Sequence, residues 1–289
     1  MAIPIGAITD EFSLDVDTAL DAMSRIGMTV VELRLIGDRN IIDLSDDEIA
    51  RIRERVEQRG MRVLGIASPV LKCVLPDAPP LDDRFQQDVF GSSYTIADQP
   101  RLAKRAVEIA EIAGAKIIRV FSYWRTTAPE QCVDRIVAAL RELADRAAER
   151  GLTIGLENEH ACNVATGAEA GRVLAAIDHP ALKAIWDPAN AFILGETPFP
   201  AGYRSLPASR VAHVHAKDCV MDGLKPVFGP LGEMGVDWRG QIAALEKDGY
   251  SGAISLETHW RGPDGDRLKA SVICGENLRD LVGVHAGGV

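Results

Sequence analysis

Eight short apolar segments alternate with amphipathic stretches along the chain, and this alternation limits the folds that are open to it. The apolar segments are rich in Val, Ile and Leu and mostly free of charge, as is typical of parallel strands covered on both faces. They span residues 3–8, 30–33, 63–66, 116–121, 153–156, 184–186, 211–215 and 253–256. Eight strands that alternate with helices predict an α/β protein with a single closed (β/α)8 barrel rather than an open sheet.

The stretches between the apolar segments have helical periodicity and recognisable ends. In the first of them, apolar side chains recur every three to four positions. Ser45 with Glu48, and Thr166 with Glu169, form capping-box patterns that start helices. The predicted helices span residues 13–26, 47–58, 99–112, 129–150, 166–177, 238–247 and 268–281.

Length and composition agree with one soluble domain. The chain has 289 residues, of which 47% are hydrophobic and 26% are charged, and a barrel of this kind commonly needs ~250 residues. We therefore expect residues 1–289 to form a single domain. No run approaches the ~20 apolar residues of a membrane helix. The N-terminus has no basic region before an apolar run, so we expect a cytoplasmic location and no membrane partner.

The charge and cysteine patterns disfavour several other classes of protein. The formal net charge is −10 and no cluster of Lys and Arg occurs, which disfavours nucleic-acid binding. The five cysteines are scattered and form no CxxC pair, so neither a zinc ribbon nor a disulfide framework is indicated. No GxGxxG pattern follows the first predicted strand, which counts against a Rossmann fold.

Two connections are unusually long. They span residues 69–97, after the third predicted strand, and residues 191–209, after the sixth. Connections of this length are usually functional or disordered, and those that follow strands lie on the rim where barrel enzymes keep their active sites. The sequence supports two interpretations of residues 69–97 equally, a lid over the substrate or an excursion without a function.

The last four apolar segments each deliver a carboxylate or an imidazole at their C-terminal end. These residues are Glu157, Asp187, His215 and Glu257. A closed barrel points the strand ends at a common centre, so four groups from adjacent strands can converge there. Carboxylates are costly to bury unless a positive charge pairs with them, and one divalent cation satisfies the whole set. The set suits Mn²⁺, our first expectation, as well as Mg²⁺ or Co²⁺, and it leaves Zn²⁺ open.

Each of these residues also has an ordinary structural interpretation. A single Glu at a strand end is often a helix cap or part of a rim salt bridge, and Asp187 before Pro188 fits a plain turn. A lone inward-facing histidine, such as His213 or His215, is usually a satisfied core residue. The coincidence of four such groups on four successive strands favours the metal site over these separate explanations.

In the same segments the chain resembles the sugar phosphate isomerase/epimerase family, the xylose isomerase-like TIM barrels. The matching segments are residues 155–158, 186–190, 213–218, 231–238 and 255–259. The resemblance implies that the metal ligands are Glu157, Asp187, His215 and Glu257. In the ketose 3-epimerases of this family the two glutamates also act as acid and base on opposite faces of the substrate, which implies catalytic roles for Glu157 and Glu257.

The chain departs from the sugar epimerases at two positions. These enzymes carry a histidine three residues after the metal-binding aspartate, where this chain has Asn190, and an arginine six residues after the metal-binding histidine, where it has Met221. The differences weaken the case for a ketohexose epimerase and leave the ligand set intact. The predicted substrate-binding residues are His160, Asn190, Lys217 and Lys72.

We predict a divalent-metal-dependent isomerase or epimerase of a sugar, keto-sugar or cyclitol. Such an enzyme abstracts a proton next to a carbonyl and forms a metal-stabilised enediolate. The alternative is a metal-dependent lyase or dehydratase on the same fold, similar to inosose dehydratases or to enzymes that β-eliminate keto-glycosides, because the first step is shared. A metal-free binding protein is the non-catalytic alternative. The expected partner is a small carbohydrate, and barrels of this type often form homo-oligomers.

Overall fold

A computed structural model describes residues 2–85 and 93–283, and in it eight parallel strands close into a barrel. The barrel strands are β1 (Ile5–Ile8), β2 (Val30–Leu33), β3 (Arg62–Ile66), β4 (Ile117–Val120), β5 (Thr153–Glu157), β6 (Leu182–Trp186), β7 (Val211–Ala216) and β8 (Ile254–Leu256). Successive strands pair in parallel, and β8 pairs with β1 to close the ring. Each strand overlaps one of the eight predicted segments, so the predicted fold class is confirmed.

Helices follow the strands, and seven of them overlap the seven predicted ones. The helices of the described residues are α1 (Thr9–Phe12), α2 (Val16–Ile26), α3 (Asp46–Gln58), α4 (Gln99–Ala113), α5 (Val133–Ala148), α6 (Gly167–Ala176), α7 (Pro188–Ile193), α8 (Trp238–Lys247) and α9 (Arg267–Leu281). Both predicted capping boxes are present, at the starts of α3 and α6. The first residues of the predicted helix 129–150 form a separate 3-10 turn, Pro129–Cys132, ahead of α5.

Two small hairpins rise from the C-terminal ends of β2 and β7, and the sequence pattern did not predict them. One pairs Leu35–Ile36 with Arg39–Asn40, and the other pairs Cys219–Asp222 with Lys225–Phe228. Each turns over two residues that begin with a glycine, Gly37 or Gly223, at φ angles of 63° and 61°. Glycine adopts this left-handed conformation readily, which explains the tight turns.

The barrel interior has an apolar layer below a polar layer. The apolar layer is a cluster of side chains from four strands and from the residue that precedes β8. Its members are Val30, Leu64, Ile117, Ile185 and Ala253. Alternate residues of a strand share a face, so the positions two residues beyond Val30, Ile117 and Ile185 also face the interior. These positions hold Glu32, Arg119 and Asp187. The apolar layer therefore closes the barrel from below and leaves polar side chains at its C-terminal end.

The two long predicted connections contain little regular structure. The stretch 191–209 includes the end of α7, the turn Pro198–Gly202 and a 3-10 turn at Ala208–Arg210. Part of the other stretch, residues 86–92, lies outside the described residues. All five cysteines are buried and free. Among the described helices, none combines the length and apolar character that crossing a membrane requires.

Candidate metal centre

The four predicted ligands lie together at the C-terminal end of the barrel. Glu157, Asp187 and His215 have no exposed surface, and Glu257 is 3% exposed. One ligand atom from each of the four lies within 4.8 Å of the others. His215 Nδ1 is 3.1 Å from Glu157 Oε1 and 3.5 Å from Glu257 Oε2. The structure thus brings together side chains from β5 to β8 that are separated by up to 100 residues in the sequence.

Local structure holds these side chains in place. Asp187 ends β6 and caps α7, because its Oδ1 accepts a hydrogen bond of 2.9 Å from the Asn190 backbone N–H. Asn158 ties β5 to β6: it donates from Nδ2 to the Asp187 carbonyl at 2.8 Å and accepts from the Asp187 N–H at 2.8 Å. The Glu257 N–H donates to the Ala216 carbonyl at 2.9 Å, which continues the β7–β8 ladder to the ligand.

Lys217 lies inside the ligand cluster. Its side chain is fully buried, and Nζ is 2.6 Å from Asp187 Oδ2 and 2.9 Å from Glu257 Oε2. It does not line the cavity described below. The ammonium therefore contacts two of the carboxylates in the described structure rather than the space in which a substrate would lie.

Buried carboxylates outnumber buried cations in this part of the barrel. The buried carboxylates are Asp10, Glu11, Glu32, Glu157, Glu159, Asp187 and Glu257. The buried arginine and lysine side chains beside them are Arg34, Arg119 and Lys217. Even when a protonated His215 is counted, seven negative charges face four positive charges. Burying unpaired charge is strongly unfavourable, so the excess of three favours an additional cation at this place.

The pKa shifts of the proposed ligands reflect the same imbalance of charge. Burial raises the pKa of Asp187 to about 6, although Lys217 opposes the shift. Burial would also raise the pKa of Glu257, but Lys217 and His215 outweigh it and hold that pKa well below its ordinary value. Burial would lower the pKa of His215, but Glu32 and Glu157 outweigh it and raise the pKa well above the ordinary value. Asp187 is therefore the ligand whose negative charge is least well compensated.

The residues fit a divalent cation. Three carboxylates and one imidazole form an oxygen-rich donor set that suits Mn²⁺ or Mg²⁺ and also accommodates Co²⁺ or Zn²⁺. Glu157 Oε2 is buried and has no hydrogen-bond partner among the described residues, and Arg119 Nη1 contacts it only as an ion pair at 3.2 Å. His215 Nε2 faces Glu32 at 3.2 Å, so the opposite nitrogen, Nδ1, faces the cluster.

A cavity of about 420 Å³ opens above the cluster. Glu257 is the member of the four-residue set that lines it. The hairpin after β7 contributes Phe228 to the lining, and the long connection after β3 contributes Phe85 and Tyr94. The described part of residues 69–97 thus borders the cavity, as a lid would, while residues 86–92 lie outside the described part.

The four predicted substrate-binding residues divide into two pairs. His160 and Lys72 line the cavity, whereas Asn190 and Lys217 do not. Asn190 is fully buried and its Oδ1 is 2.8 Å from His160 Nδ1, so it contacts a lining residue instead. Burial lowers the pKa of His160, which makes its ring neutral near pH 7.

Two arginines at the floor of the cavity escaped the sequence analysis. Arg34 and Arg119 are both buried and both line the cavity. Each reaches Glu257 Oε1, Arg34 from Nη1 at 2.9 Å and Arg119 from Nη1 at 3.4 Å. A usable signal was present for Arg119, because a charge within the apolar run Ile117–Val120 requires a partner inside the barrel.

Comparisons with known proteins agree with this architecture. A family profile for the xylose isomerase-like TIM barrel matches residues 20–274, and the chain therefore belongs to that family. The comparison with curated proteins gives no match.

Solved structures share the fold at low sequence identity. A D-allulose 3-epimerase from Methylomonas sp. aligns with a TM-score of 0.69 and 18% identity over 98% of both chains. The probable 3-DHS dehydratase involved in petrobactin synthesis from Bacillus anthracis aligns with a TM-score of 0.69 and 17% identity over 93% of this chain and 97% of that one. A fusion of a xylose isomerase-like TIM barrel with 4-hydroxyphenylpyruvate dioxygenase gives a TM-score of 0.71 and 20% identity over 94% of this chain, which spans 41% of the fusion protein.

Proposed function

We propose that the protein is a divalent-metal-dependent isomerase or epimerase of a sugar, keto-sugar or cyclitol. The observation that carries the proposal is the buried set of three carboxylates and one imidazole at the floor of a 420 Å³ cavity. The proposed ligands are Glu157, Asp187, His215 and Glu257. A cation held there, Mn²⁺ by our first expectation, would polarise the carbonyl and neighbouring hydroxyl oxygens of the substrate and make the adjacent C–H more acidic.

The surroundings of the two glutamates suggest how they divide the acid–base work. Glu257 lines the cavity, so it is the group placed to accept a proton from substrate carbon. Glu157 is fully buried and lies 3.2 Å from the cavity-lining Arg119. In our proposal Glu157 acts on the opposite face of the substrate, which would invert the stereocentre.

The second candidate is a lyase or dehydratase that shares the first step. It is favoured by the position of His160, which lines the cavity with its Nδ1 held by Asn190 at 2.8 Å. A histidine that is neutral near pH 7 can first accept a proton from the substrate and then, as the imidazolium, donate it to a departing hydroxyl group, which leaves as water. The similarity to a probable dehydratase supports this candidate at the level of fold only.

The two candidates differ in the fate of the substrate in D₂O. We would incubate the Mn²⁺-loaded protein with ketoses, inososes and 3-keto-glycosides and follow product mass. Deuterium incorporated into a compound of unchanged composition supports the isomerase or epimerase, whereas loss of water or of an aglycone supports the lyase. No exchange and no elimination with any compound would contradict both.

Two variants make this experiment specific to the site. Glu257→Gln removes the proposed base and is expected to reduce exchange at least ~100-fold, in line with the usual contribution of a positioned base. Glu111→Gln is the matched control, because Glu111 is exposed and pairs with Arg150 at 2.9 Å on the outer surface. Equal activity of the two variants would remove Glu257 from the mechanism.

A further inference from the structure

Arg119 occupies an unusual position for a positively charged side chain. It lies in the middle of β4, is 5% exposed, and lines the floor of the cavity. Its Nη2 donates to the Ala67 carbonyl at 3.2 Å, and its Nη1 lies 3.2 Å from Glu157 Oε2 and 3.4 Å from Glu257 Oε1. Its buried Nε has no hydrogen-bond partner among the described residues. The guanidinium thus has one N–H donor that no described residue uses.

The carboxylates that face Arg119 are also proposed metal ligands. If Glu157 and Glu257 turn their oxygens to a cation, as the proposed function requires, Arg119 shares its partners with that cation. A buried guanidinium is then stabilised by an anion from the cavity side. This step, and therefore the inference, rests on the proposed function.

A second cation lies beside the first. Lys72 Nζ and Arg119 Cζ each lie 4.7 Å from the centre of the Phe121 ring, and Lys72 also lies 5.4 Å from that of Trp124. Such cation–π contacts hold the long side chains in place. Lys72 lines the cavity too.

The backbone before Lys72 is fixed. Leu71 adopts a φ of 62°, its N–H donates to Gln99 Oε1 at 2.7 Å, and its carbonyl accepts from the Tyr123 N–H at 2.8 Å. A non-glycine residue seldom adopts this left-handed backbone conformation unless its surroundings hold it there. These contacts therefore fix the backbone from which the Lys72 side chain extends.

Acidic groups also border the cavity. Glu159 and Glu257 lie near its floor, and Asp38 and Asp43 contribute from the connections after β2. Asp43 Oδ2 accepts a hydrogen bond of 2.9 Å from the Tyr94 hydroxyl. The other cations of the lining are Arg34, which pairs with Asp10, Glu11 and Glu257, Arg84, which pairs with Asp82, and Lys225.

We propose that the substrate is a sugar acid or keto acid, and that Arg119, with Lys72 beside it, binds its carboxylate. A planar guanidinium matches the two oxygens of a carboxylate. Because Arg119 lies next to Glu157 and Glu257, the carboxylate belongs near the carbon that loses the proton.

The test compares three ligands that differ only at carbon 1. D-fructose carries a hydroxymethyl group there, 2-keto-D-gluconate a carboxylate and D-fructose 1-phosphate a phosphate. Binding to the full-length Mn²⁺-loaded protein is measured by calorimetry. We expect the carboxylate to bind roughly 10- to 100-fold more tightly than the neutral sugar, as for one charged hydrogen-bonded pair. Equal, weaker or undetectable binding of the carboxylate would overturn the inference, and tighter binding of the phosphate would overturn its assignment to a carboxylate.

Variants test whether Arg119 and Lys72 cause the tighter binding of the acid. Arg119→Gln is expected to abolish the preference for the acid, and Lys72→Gln to reduce it several-fold. Arg119→Lys retains the positive charge but loses the planar guanidinium, and it is expected to keep a reduced preference for the acid. This variant keeps the test valid if Arg119→Gln fails to fold. Arg125→Gln is the control, because Arg125 is partly buried, follows the same strand and pairs with Glu169 at 3.0 Å outside the cavity lining.

The outcomes separate this inference from the proposed function. Mn²⁺ affinity and circular dichroism are recorded for every variant. If acids and neutral sugars exchange deuterium equally well, and Arg119→Lys leaves their ratio unchanged, the inference fails while the metal-dependent function stands. If the protein binds no Mn²⁺, the proposed function itself fails.

Discussion

The two halves of the barrel place different side chains at its C-terminal end. The ligand half, strands β5 to β8, supplies Glu157, Asp187, His215 and Glu257. The cation half, strands β1 to β4 with their following loops, supplies Arg34, Lys72 and Arg119 to the cavity lining. The contrast suggests a division of labour, in which the first set holds a metal and the second set selects what approaches it.

Removal of a proposed metal ligand tests this division of labour most directly. We expect Glu157→Gln to weaken Mn²⁺ binding at least ~100-fold and to reduce turnover to background, because the other ligands cannot complete the site. Arg34→Lys, in the cation half, is expected to keep Mn²⁺ affinity within about threefold. Calorimetry with Mn²⁺ measures both, and similar losses in the two variants would show that the halves are not separate in function.

The space around a strand glycine differs between the two halves, and the free energy of unfolding of alanine variants can reveal this difference. A Cβ on Gly6 of β1 would lie 2.2 Å from the Val30 backbone oxygen, whereas one on Gly155 of β5 would lie 2.7 Å from Cδ1 of Ile185. A side-chain end can shift and a paired strand cannot. We expect Gly155→Ala to lower the free energy of unfolding by about 1–3 kcal/mol, as overpacking does, and Gly6→Ala to lower it by more. Denaturant titrations check this order, and a less stable Gly155→Ala would contradict it.

Glu32 connects the two halves. It lies on β2, yet its Oε1 is 2.7 Å from His213 Nε2 and 3.2 Å from His215 Nε2. A carboxylate behind a ligating histidine fixes the ring, and its loss typically weakens metal binding by about 10- to 100-fold. We expect that loss for Glu32→Gln.

Glu11→Gln is the control for Glu32→Gln. Glu11 is buried at 5% exposure and contacts Arg34 and His259 rather than the two histidines of β7. The Mn²⁺ affinity of Glu11→Gln is expected to stay within about threefold of the wild type, and calorimetry with Mn²⁺ measures it for both variants. A wild-type affinity for Glu32→Gln would mean that His215 needs no support from the cation half.

The smallest expected effect is a pH dependence at Asp187. Because burial raises its pKa to about 6, Mn²⁺ binding at pH 6 should displace about half a proton from this carboxyl, and at pH 8 almost none. Calorimetry in buffers of different ionisation enthalpy measures the proton count. Equal proton release at pH 6 and pH 8 would count against the shift.

The same shift affects the stability of the metal-free protein. Asp187 has a folded pKa above its ordinary 3.8, so its protonation stabilises the fold fully below pH 3.8, and that contribution is lost as pH rises through about 6. We expect the unfolding free energy of the metal-free wild type to fall relative to that of Asp187→Asn between pH 4 and pH 7. A constant difference over that range would refute this.

The sequence predicted the ligand half better than the cation half, for a physical reason. Each ligand follows an apolar run directly, so the run and the closed fold together determine where the side chain points. Arg34 and Arg119 matter through partners that are remote in the chain, such as Glu257, 223 residues beyond Arg34. Likewise, no local pattern shows that Lys217 contacts Asp187 and Glu257, or that Asn190 contacts His160, because those contacts depend on how neighbouring strands and loops meet.

The position of Glu257 on the last strand links the site to the seam of the barrel. β8 pairs with β1 on one side and β7 on the other, and Arg34 reaches Glu257 across β1. Opening the ring between its first and last strands would separate Glu257 from Arg34, whereas the other three proposed ligands, on β5 to β7, would remain on the side of Glu257. By thermodynamic linkage, any ligand that binds the closed arrangement more tightly than the open one stabilises the seam by the same free energy. A ligand that contacts both Arg34 and Glu257 should therefore reduce hydrogen exchange along β1 and β8 more than along β3, far from the seam.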